Sequence, residues 1–323
     1  MRSQLPAFLI ACLLSAGCGD DGVPWSPDTG APPDLTLAPD SSPLAADAGC
    51  GDLPNPAAAW ITPYQKEVIG KLTGALEISP GVKLSERQTA KSRVAARAYL
   101  STSLAAMGLK PRSHDYGSGV NIHATLAAST ASQDTLVVGA HYDSAKGCPG
   151  ANDNATGVAA VLAAARHLSQ VSCRGQNYIF ALFDEEELKQ VGSTAFAKQL
   201  YTSKTQVVSV HTMDQMGWDQ DGDGAMEVER PDPGLMSLYQ KALTLGGLKI
   251  PLTQTKTGGT DHVAFRLYNF AAAGLTEEYA SGDTTPHYHS PTDTFDTINF
   301  PYLASATQLW NTLFSALARG ALQ

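Results

Sequence analysis

The sequence at positions 135–157 is TLVVGAHYDSAKGCPGANDNATG. Its first residues are apolar, which predicts a buried β-strand that ends at His141 and Asp143. A loop rich in glycine and proline follows, then Asp153, and then a helix that begins near Thr156. Imidazole and carboxylate groups delivered together at a strand end are ligands that a divalent metal ion such as zinc prefers. The stretch therefore predicts a metal site at a strand–loop–helix junction.

Segments of strand length alternate along the chain with segments whose apolar residues recur at helical spacing. The predicted strands cover 120–127, 135–140, 177–183 and 207–213, and the predicted helices cover 60–77, 94–107, 156–169 and 193–201. A capping box at Ser85 and Gln88 is expected to open the second helix, and Gly108 to end it. The alternation predicts an α/β fold with a mostly parallel sheet and helices on both faces. Ligands of such sheets bind at the carboxyl ends of the strands.

Three further polar clusters follow the one at 141–153. Four consecutive acids, 184–187, come after the strand at 177–183, and Asp214 comes after the strand at 207–213. The last cluster holds His287 and His289 beside prolines. The four acids would also suit a solvated helix N-terminus, where the helix dipole favours negative charge. Because three of the clusters lie at predicted strand ends, we expect them to form one metal site.

Six motifs occur in a specific order along the chain. They are HYD at 141–143, PGANDNATG at 149–157, EELKQVGS at 186–193, MDQMG at 213–217, TDHVAF at 260–265 and YHSPTDT at 288–294. This order resembles that of the co-catalytic di-zinc aminopeptidases (peptidase family M28), which include bacterial leucyl aminopeptidases, and the resemblance covers about Val120 to Ile298. It implies a three-layer α/β/α fold with a central mixed sheet, the zinc-dependent exopeptidase fold. It also implies two zinc ions per chain and removal of N-terminal amino acids from peptide or protein substrates.

The resemblance assigns metal-ligating roles to five residues. His141 and Asp214 would hold one zinc ion, and Glu187 and His289 would hold the other. Asp153 would bridge the two ions. Zinc accepts both imidazole nitrogen and carboxylate oxygen, although cobalt or manganese would also suit carboxylate-rich ligands.

The resemblance also implies supporting acids around these ligands. Glu186 would be the general base that takes a proton from the attacking water and passes it to the leaving amine. Asp143 would accept the N–H of His141 and so fix the tautomer of that ring. Asp261 and Asp293 resemble family positions that shape the site.

The three adjacent glutamates leave a question of register. Counting back five residues from 192–193, as the family pattern requires, selects Glu186 as the base and Glu187 as the ligand. A shift by one residue, to Glu185 and Glu186, remains open. The sequence departs from the family in having Lys189 where a glycine is usual after the pair.

Other functions remain open at the level of sequence. A carboxypeptidase-like or amidase-like di-zinc hydrolase would use the same ligands, and glutaminyl cyclases resemble these peptidases but use one zinc ion. A non-catalytic surface binding domain would usually have lost a ligand or the base, whereas all six positions are filled here. An aminopeptidase also needs a carboxylate for the substrate α-ammonium group, and spacing assigns no residue to that task. The sequence does not indicate the oligomeric state.

The segment 219–224, DQDGDG, is similar to the start of a calcium-binding loop. The twelfth residue of that pattern is Arg230 instead of the bidentate glutamate that the full motif requires. The sequence therefore favours an acidic turn, and Ca²⁺ at Asp219, Asp221 and Asp223 is the alternative.

The N-terminal residues predict export. Residues 1–17 have the charged, apolar and small-residue regions of a signal peptide, and LSAGC at 14–18 resembles the lipobox of bacterial lipoproteins. Cys18 would then be lipidated, residues 18–55 would form a disordered tether, and 56–323 would be the peptidase domain. The protein would lie in the cell envelope, attached to a membrane by the lipid, on the periplasmic or outer-membrane face. A plain secretory signal, which would yield a secreted protein, is the alternative.

Charge and cysteine content restrict the binding partners and the disulfides that the chain can have. The formal net charge of −9 argues against a nucleic-acid partner. An exported chain permits disulfides among Cys50, Cys148 and Cys173. Cys148 and Cys173 flank a helix and are too far apart to pair unless the loops double back, so pairing of Cys50 with either one remains open.

Overall fold

An eight-stranded sheet lies at the centre of residues 50–322, the part of the chain that the computed structural model describes. The strands are β1 (Arg112–Asp115), β2 (Val120–Leu126), β3 (Thr135–His141), β4 (Asn177–Phe183), β5 (Val207–Met213), β6 (Met226–Glu229), β7 (Leu252–Thr255) and β8 (Ala272–Thr276). The helices are α1 (Ile61–Leu72), α2 (Ala90–Ala106), α3 (Gly157–Leu168), α4 (Val191–Thr202), α5 (Leu235–Gly246), α6 (Asp261–Arg266) and α7 (Phe300–Ala318).

The sheet is mixed, in the order β1-β2-β4-β3-β5-β8-β6-β7. The pairs β3/β4, β3/β5, β5/β8 and β6/β7 are parallel. The pairs β1/β2, β2/β4 and β6/β8 are antiparallel. The predicted α/β fold with a mixed, mostly parallel sheet is therefore confirmed.

Helices cover both faces of the sheet. Leu136 and Val138 of β3 point into a large core that also contains side chains of α1, α2, α3, α5 and α7. Val137, between them, points into a smaller core with side chains of α4 and α6. Because successive strand residues face opposite sides, a central strand with two such cores must be apolar throughout, and every residue of β3 is buried.

The first two helices differ from their predicted bounds, and the second begins at Ala90 instead of Val94. The first helix ends at Leu72 instead of continuing to residue 77, and Leu76 is half exposed. The capping box predicted at Ser85 and Gln88 does not open α2; Thr89 caps this helix, and its hydroxyl accepts a hydrogen bond from the backbone N–H of Ser92 at 3.2 Å. Gly108 follows the end of α2 with φ of +79°, as predicted.

The side chain of Arg87 explains why its segment does not join α2. It is fully buried, and its guanidinium donates to the carbonyls of Tyr142 (2.6 Å), Leu72 (3.1 Å) and Gly150 (2.8 Å), among others. Its backbone N–H donates to the hydroxyl of Ser144 at 2.9 Å. These bonds tie the end of α1 to the end of β3 and to the following loop, and they hold Arg87 in the segment that precedes α2.

One disulfide lies in the described residues, between Cys50 and Cys173. Cys148 is buried and unpaired. The disulfide attaches the last residues of the predicted tether to the loop between α3 and β4, and Arg319 also donates a hydrogen bond to the carbonyl of Gly51. The predicted signal peptide, Cys18 and the tether up to residue 49 lie outside the described residues. Within 50–322, no helix combines the length and apolarity needed to cross a membrane.

Candidate metal centre

Two of the predicted ligands follow from the topology of the sheet. His141 is the last residue of β3, and Asp214 follows β5, its parallel neighbour. Their side chains meet at the carboxyl edge, with 3.4 Å between His141 Nε2 and Asp214 Oδ2. His141 is fully buried.

Asp153 lies between two histidines. It belongs to a kinked helical turn, Ala151–Thr156, that precedes α3, and its own backbone is non-helical. Its Oδ1 lies 3.1 Å from His141 Nε2, whereas its Oδ2 lies 3.2 Å from His289 Nε2. The carboxylate of Asp293 fixes this turn, because it accepts the backbone N–H groups of Asn152 (2.8 Å) and Asp153 (3.1 Å). The undefined supporting role predicted for Asp293 is thus a structural one.

The second histidine is paired with a glutamate. Glu187 Oε2 lies 3.0 Å from His289 Nε2, in a loop where Tyr288 stacks on the His289 ring. The turn that carries Glu187 is held by Asp143, whose two oxygens accept the N–H groups of Glu186 (3.1 Å) and Glu187 (3.2 Å). The five predicted ligands therefore form two triads that share Asp153: one with His141 and Asp214, the other with Glu187 and His289.

The donor atoms fit zinc. Ligands at about 2.0–2.1 Å in a tetrahedron lie about 3.3 Å from one another, and the contacts between these side chains span 3.0 to 3.4 Å. Two buried ligand atoms, His141 Nε2 and Glu187 Oε1, have no hydrogen-bond partner among the described residues. The Nδ1 atom of His141 lies 3.2 Å from Asp143 Oδ1, which fixes the proton there and leaves the Nε2 lone pair for a cation.

The carboxylates and histidines of the centre lie close together in a largely buried site, and this shifts several of their pKa values. Burial raises the pKa of Asp214 to about 7 and that of Glu186 well above its usual value. Hydrogen bonds to Asp153 and Glu187 raise the pKa of His289 to about 10. Burial acts to lower the pKa of His141, but the surrounding carboxylates, led by Asp214, raise it far above its ordinary value. Without a metal ion, these side chains thus hold protons, and a bound divalent cation would displace those protons.

The geometry separates the three adjacent glutamates. Glu185 turns away from the centre: its Oε1 pairs with Arg93 at 3.0 Å, and its Oε2 accepts from the Ser118 hydroxyl at 2.7 Å. Glu186 faces a cavity of about 130 Å³ that Asp153 and Asp214 also line. Its Oε1 accepts a hydrogen bond from Gln190 at 2.7 Å. These contacts favour the register with Glu186 as base and Glu187 as ligand.

Glu277 is a buried acid of the site to which sequence reasoning gave no defined role. It is fully buried, and its Oε2 accepts from the side chain of Asn152 (2.9 Å) and the backbone of Trp218 (3.0 Å). Its Oε1 accepts the N–H of Thr285 at 2.9 Å. Glu277 therefore joins the loops that carry Asp153, Asp214 and His289. Its position directly after the apolar strand β8 was the available signal.

Two other acids near the centre have distinct surroundings. Asp261 is fully buried at the start of α6, where burial raises its pKa to about 7. Glu229, at the end of β6, lines the cavity with Glu186, and burial raises its pKa to about 7. Sequence reasoning did not select Glu229.

The predicted acidic turn at 219–224 is stabilised by its own carboxylates. Asp219 Oδ1 accepts the N–H of Gly224 (3.2 Å), Asp221 Oδ1 that of Asp223 (3.2 Å), and Asp223 Oδ1 that of Ala225 (2.7 Å). The carboxylates can approach a common point, but these bonds already account for acids at these positions. Nothing beyond the proximity of these carboxylates supports the calcium alternative.

The chain resembles known peptidases in sequence and in fold. The family model described as Peptidase family M28 matches residues 121–314. Aminopeptidase YwaD of Bacillus subtilis is 29% identical over 182 residues, which are 54% of this chain and 39% of that protein. The chain spans about half the length, or less, of the curated relatives it matches.

Two solved structures share the fold. LapA of Legionella pneumophila gives a TM-score of 0.73 at 20% identity, covering 82% of this chain and 75% of that one. The zinc aminopeptidase BSAP from Bacillus subtilis gives a TM-score of 0.56 at 26% identity, covering 60% of this chain and 49% of that one. Because the family model covers more than half of the chain, we conclude that this protein belongs to peptidase family M28.

Proposed function

We propose that this chain is a zinc-dependent aminopeptidase with two metal ions. The observation that carries the proposal is the orientation of Asp153, whose two oxygens each lie against a different histidine, His141 and His289. His141 and Asp214 would hold one ion, and Glu187 and His289 the other, with Asp153 shared. Bound zinc ions would polarise the scissile carbonyl and lower the pKa of water.

The residues of the chain divide the remaining work. Glu186, held by Gln190 at the edge of the cavity, would take the proton of the attacking water and deliver it to the leaving amine. Asp143 would keep the His141 tautomer and the turn with Glu187 in position, because it contacts both. Burial of these groups limits competing contacts with bulk water and strengthens their interactions.

The test of this function is hydrolysis of amino-acid p-nitroanilides by the zinc-loaded protein. We expect turnover of leucine p-nitroanilide, its loss in chelator, and its recovery when zinc is added. The N-acetylated p-nitroanilide is expected to react about 10- to 100-fold more slowly, because it cannot form the hydrogen bond of the α-ammonium group, and a hydrogen bond to a charged group contributes about 1.5–3 kcal/mol. Activity on blocked amides alone, or cyclisation of N-terminal glutamine without hydrolysis, would contradict the proposal.

We also propose that the peptidase domain, residues 56–323, is exported and attached to a membrane through a lipid on Cys18. The disulfide between Cys50 and Cys173 supports an oxidising compartment. The protein expressed in a bacterium with radiolabelled palmitate is expected to carry label and to sediment with membranes. The variant Cys18→Ser is expected to lose both properties; label that persists in this variant would refute attachment at Cys18.

A further inference from the structure

The cavity beside the metal centre is lined by acids. Asp153, Glu186, Asp214 and Glu229 contribute to its wall, together with the 257–260 loop. Among the described residues that line it, none is lysine, arginine or histidine. A carboxylate ligand, such as the C-terminus of a peptide, would meet no positive side chain in this wall, whereas a cationic group would be attracted to it.

Glu229 differs from the other acids because the metal centre does not use it. Glu229 is buried, with 4% of the residue exposed; its carboxylate has a hydrogen bond with Thr257, but its Oε2 has no hydrogen-bond partner among residues 50–322. Two residues earlier on β6, Glu227 is fully engaged: it accepts from the N–H groups of Ala280 (2.8 Å) and Ser281 (2.8 Å). A buried carboxylate oxygen without a partner is costly, so Glu229 has capacity for a ligand that Glu227 lacks.

The strand next to Glu229 leaves room for this carboxylate. Glu229 pairs with Gly274 of β8, and β8 lies between β6 and the strand that ends before Asp214. A Cβ atom on Gly274 would lie 3.1 Å from Glu229 Oε2 and 2.8 Å from His262 Nδ1. The glycine therefore keeps open the space in which the Glu229 carboxylate lies.

Glu229 adds to an excess of carboxylates around the loaded site. Two divalent cations would carry four positive charges, whereas Asp153, Asp214, Glu187 and Glu186, together with the buried Asp143 and Asp261, offer six carboxylates. Glu229 is a further carboxylate in the same wall as Glu186 and Asp214, to which a cationic group would be attracted. The α-amino nitrogen of a substrate lies only about 2.5 Å from the carbonyl carbon under attack, given standard bond lengths, so it must lie within this same cavity.

We propose that Glu229 binds the α-ammonium group of the substrate's N-terminal residue. This assignment rests on the proposed aminopeptidase function and names the residue that restricts the enzyme to free N-termini. Glu229 acts as a specificity determinant: it positions the substrate by its charge and takes no part in proton transfer.

The proposal is tested by calorimetric binding of two inhibitors to the zinc-loaded protein. Leucine hydroxamate carries the α-amino group, and 4-methylpentanohydroxamate lacks it. We expect wild type to bind the amino compound about 10- to 100-fold more tightly, as for a charge-assisted hydrogen bond. In Glu229→Gln, most of this difference between the affinities for the two inhibitors is expected to be lost. The affinity for 4-methylpentanohydroxamate and the zinc content are expected to stay unchanged. The exposed carboxylate variant Asp296→Asn, the control for charge, is expected to keep the ratio.

Steady-state kinetics separates this role from a structural one. In Glu229→Gln, KM for leucine p-nitroanilide is expected to rise about 10- to 100-fold with kcat within about threefold, because substrate binding is lost uniformly. Glu229→Asp keeps the charge on a shorter side chain and is expected to retain part of the preference for leucine hydroxamate. This variant replaces Glu229→Gln in the test if the glutamine variant does not fold. If the ratio of the two inhibitor affinities were unchanged in Glu229→Gln, or if this variant lost zinc, the assignment would be overturned. If wild type hydrolyses no free-amine substrate, the proposed function fails instead, and the calorimetric ratio still reports on Glu229.

Discussion

Replacing Glu186 by glutamine is expected to lower kcat for leucine p-nitroanilide by about 10²- to 10⁴-fold, the usual contribution of a general base. Glutamine has the same shape but cannot take a proton. Because Glu186 contacts Gln190 and belongs to neither triad of ligands, zinc content is expected to stay unchanged. Metal analysis and kinetics of the same preparation provide the measurement.

Glu185→Gln is the matched control for this prediction. It removes the same charge from the neighbouring residue, whose carboxylate pairs with Arg93 and accepts from Ser118. We expect kcat within a few-fold of wild type, together with some loss of stability because a buried ion pair is broken. If Glu185→Gln abolished turnover while Glu186→Gln lost metal, the register of the glutamates would be shifted by one residue.

Asp153→Asn is expected to have the largest effect on metal binding. Asp153 belongs to both triads, so the loss of its charge weakens both at once. Supporting residues around a metal typically contribute about 10- to 100-fold in affinity, and we expect a shared ligand to exceed that. Zinc titration followed by calorimetry should show both affinities reduced, with activity falling at least about 1000-fold at limiting zinc. Loss of one site alone, with the other at wild-type affinity, would contradict a shared role.

The sequence predicts the central strands well because their environment is uniform. The predicted bounds of β4 and β5 equal the observed ones, Asn177–Phe183 and Val207–Met213. These strands are covered on both faces, so apolar runs mark them clearly. The short strands β6 and β7 carry polar residues and lie at one side of the sheet, where such a run is absent.

The polar contacts that organise the site are less accessible to sequence reasoning. Arg87 bonds to carbonyl groups far away in the chain, which is why a local capping pattern at Ser85 was misleading. Glu277 and Glu229 acquire their surroundings only when loops and strands from distant segments meet. The ligand motifs, by contrast, lie directly at strand ends, where topology alone brings His141 and Asp214 together.

The most direct test of the central claim is anomalous diffraction at the zinc edge from crystals of the zinc-loaded protein. Two zinc peaks are expected, one within about 2.0–2.2 Å of His141 and Asp214, the other at the same distance from Glu187 and His289. Both peaks should contact Asp153, one through each carboxylate oxygen. A single fully occupied peak at saturating zinc, or two peaks without a shared Asp153, would contradict the account.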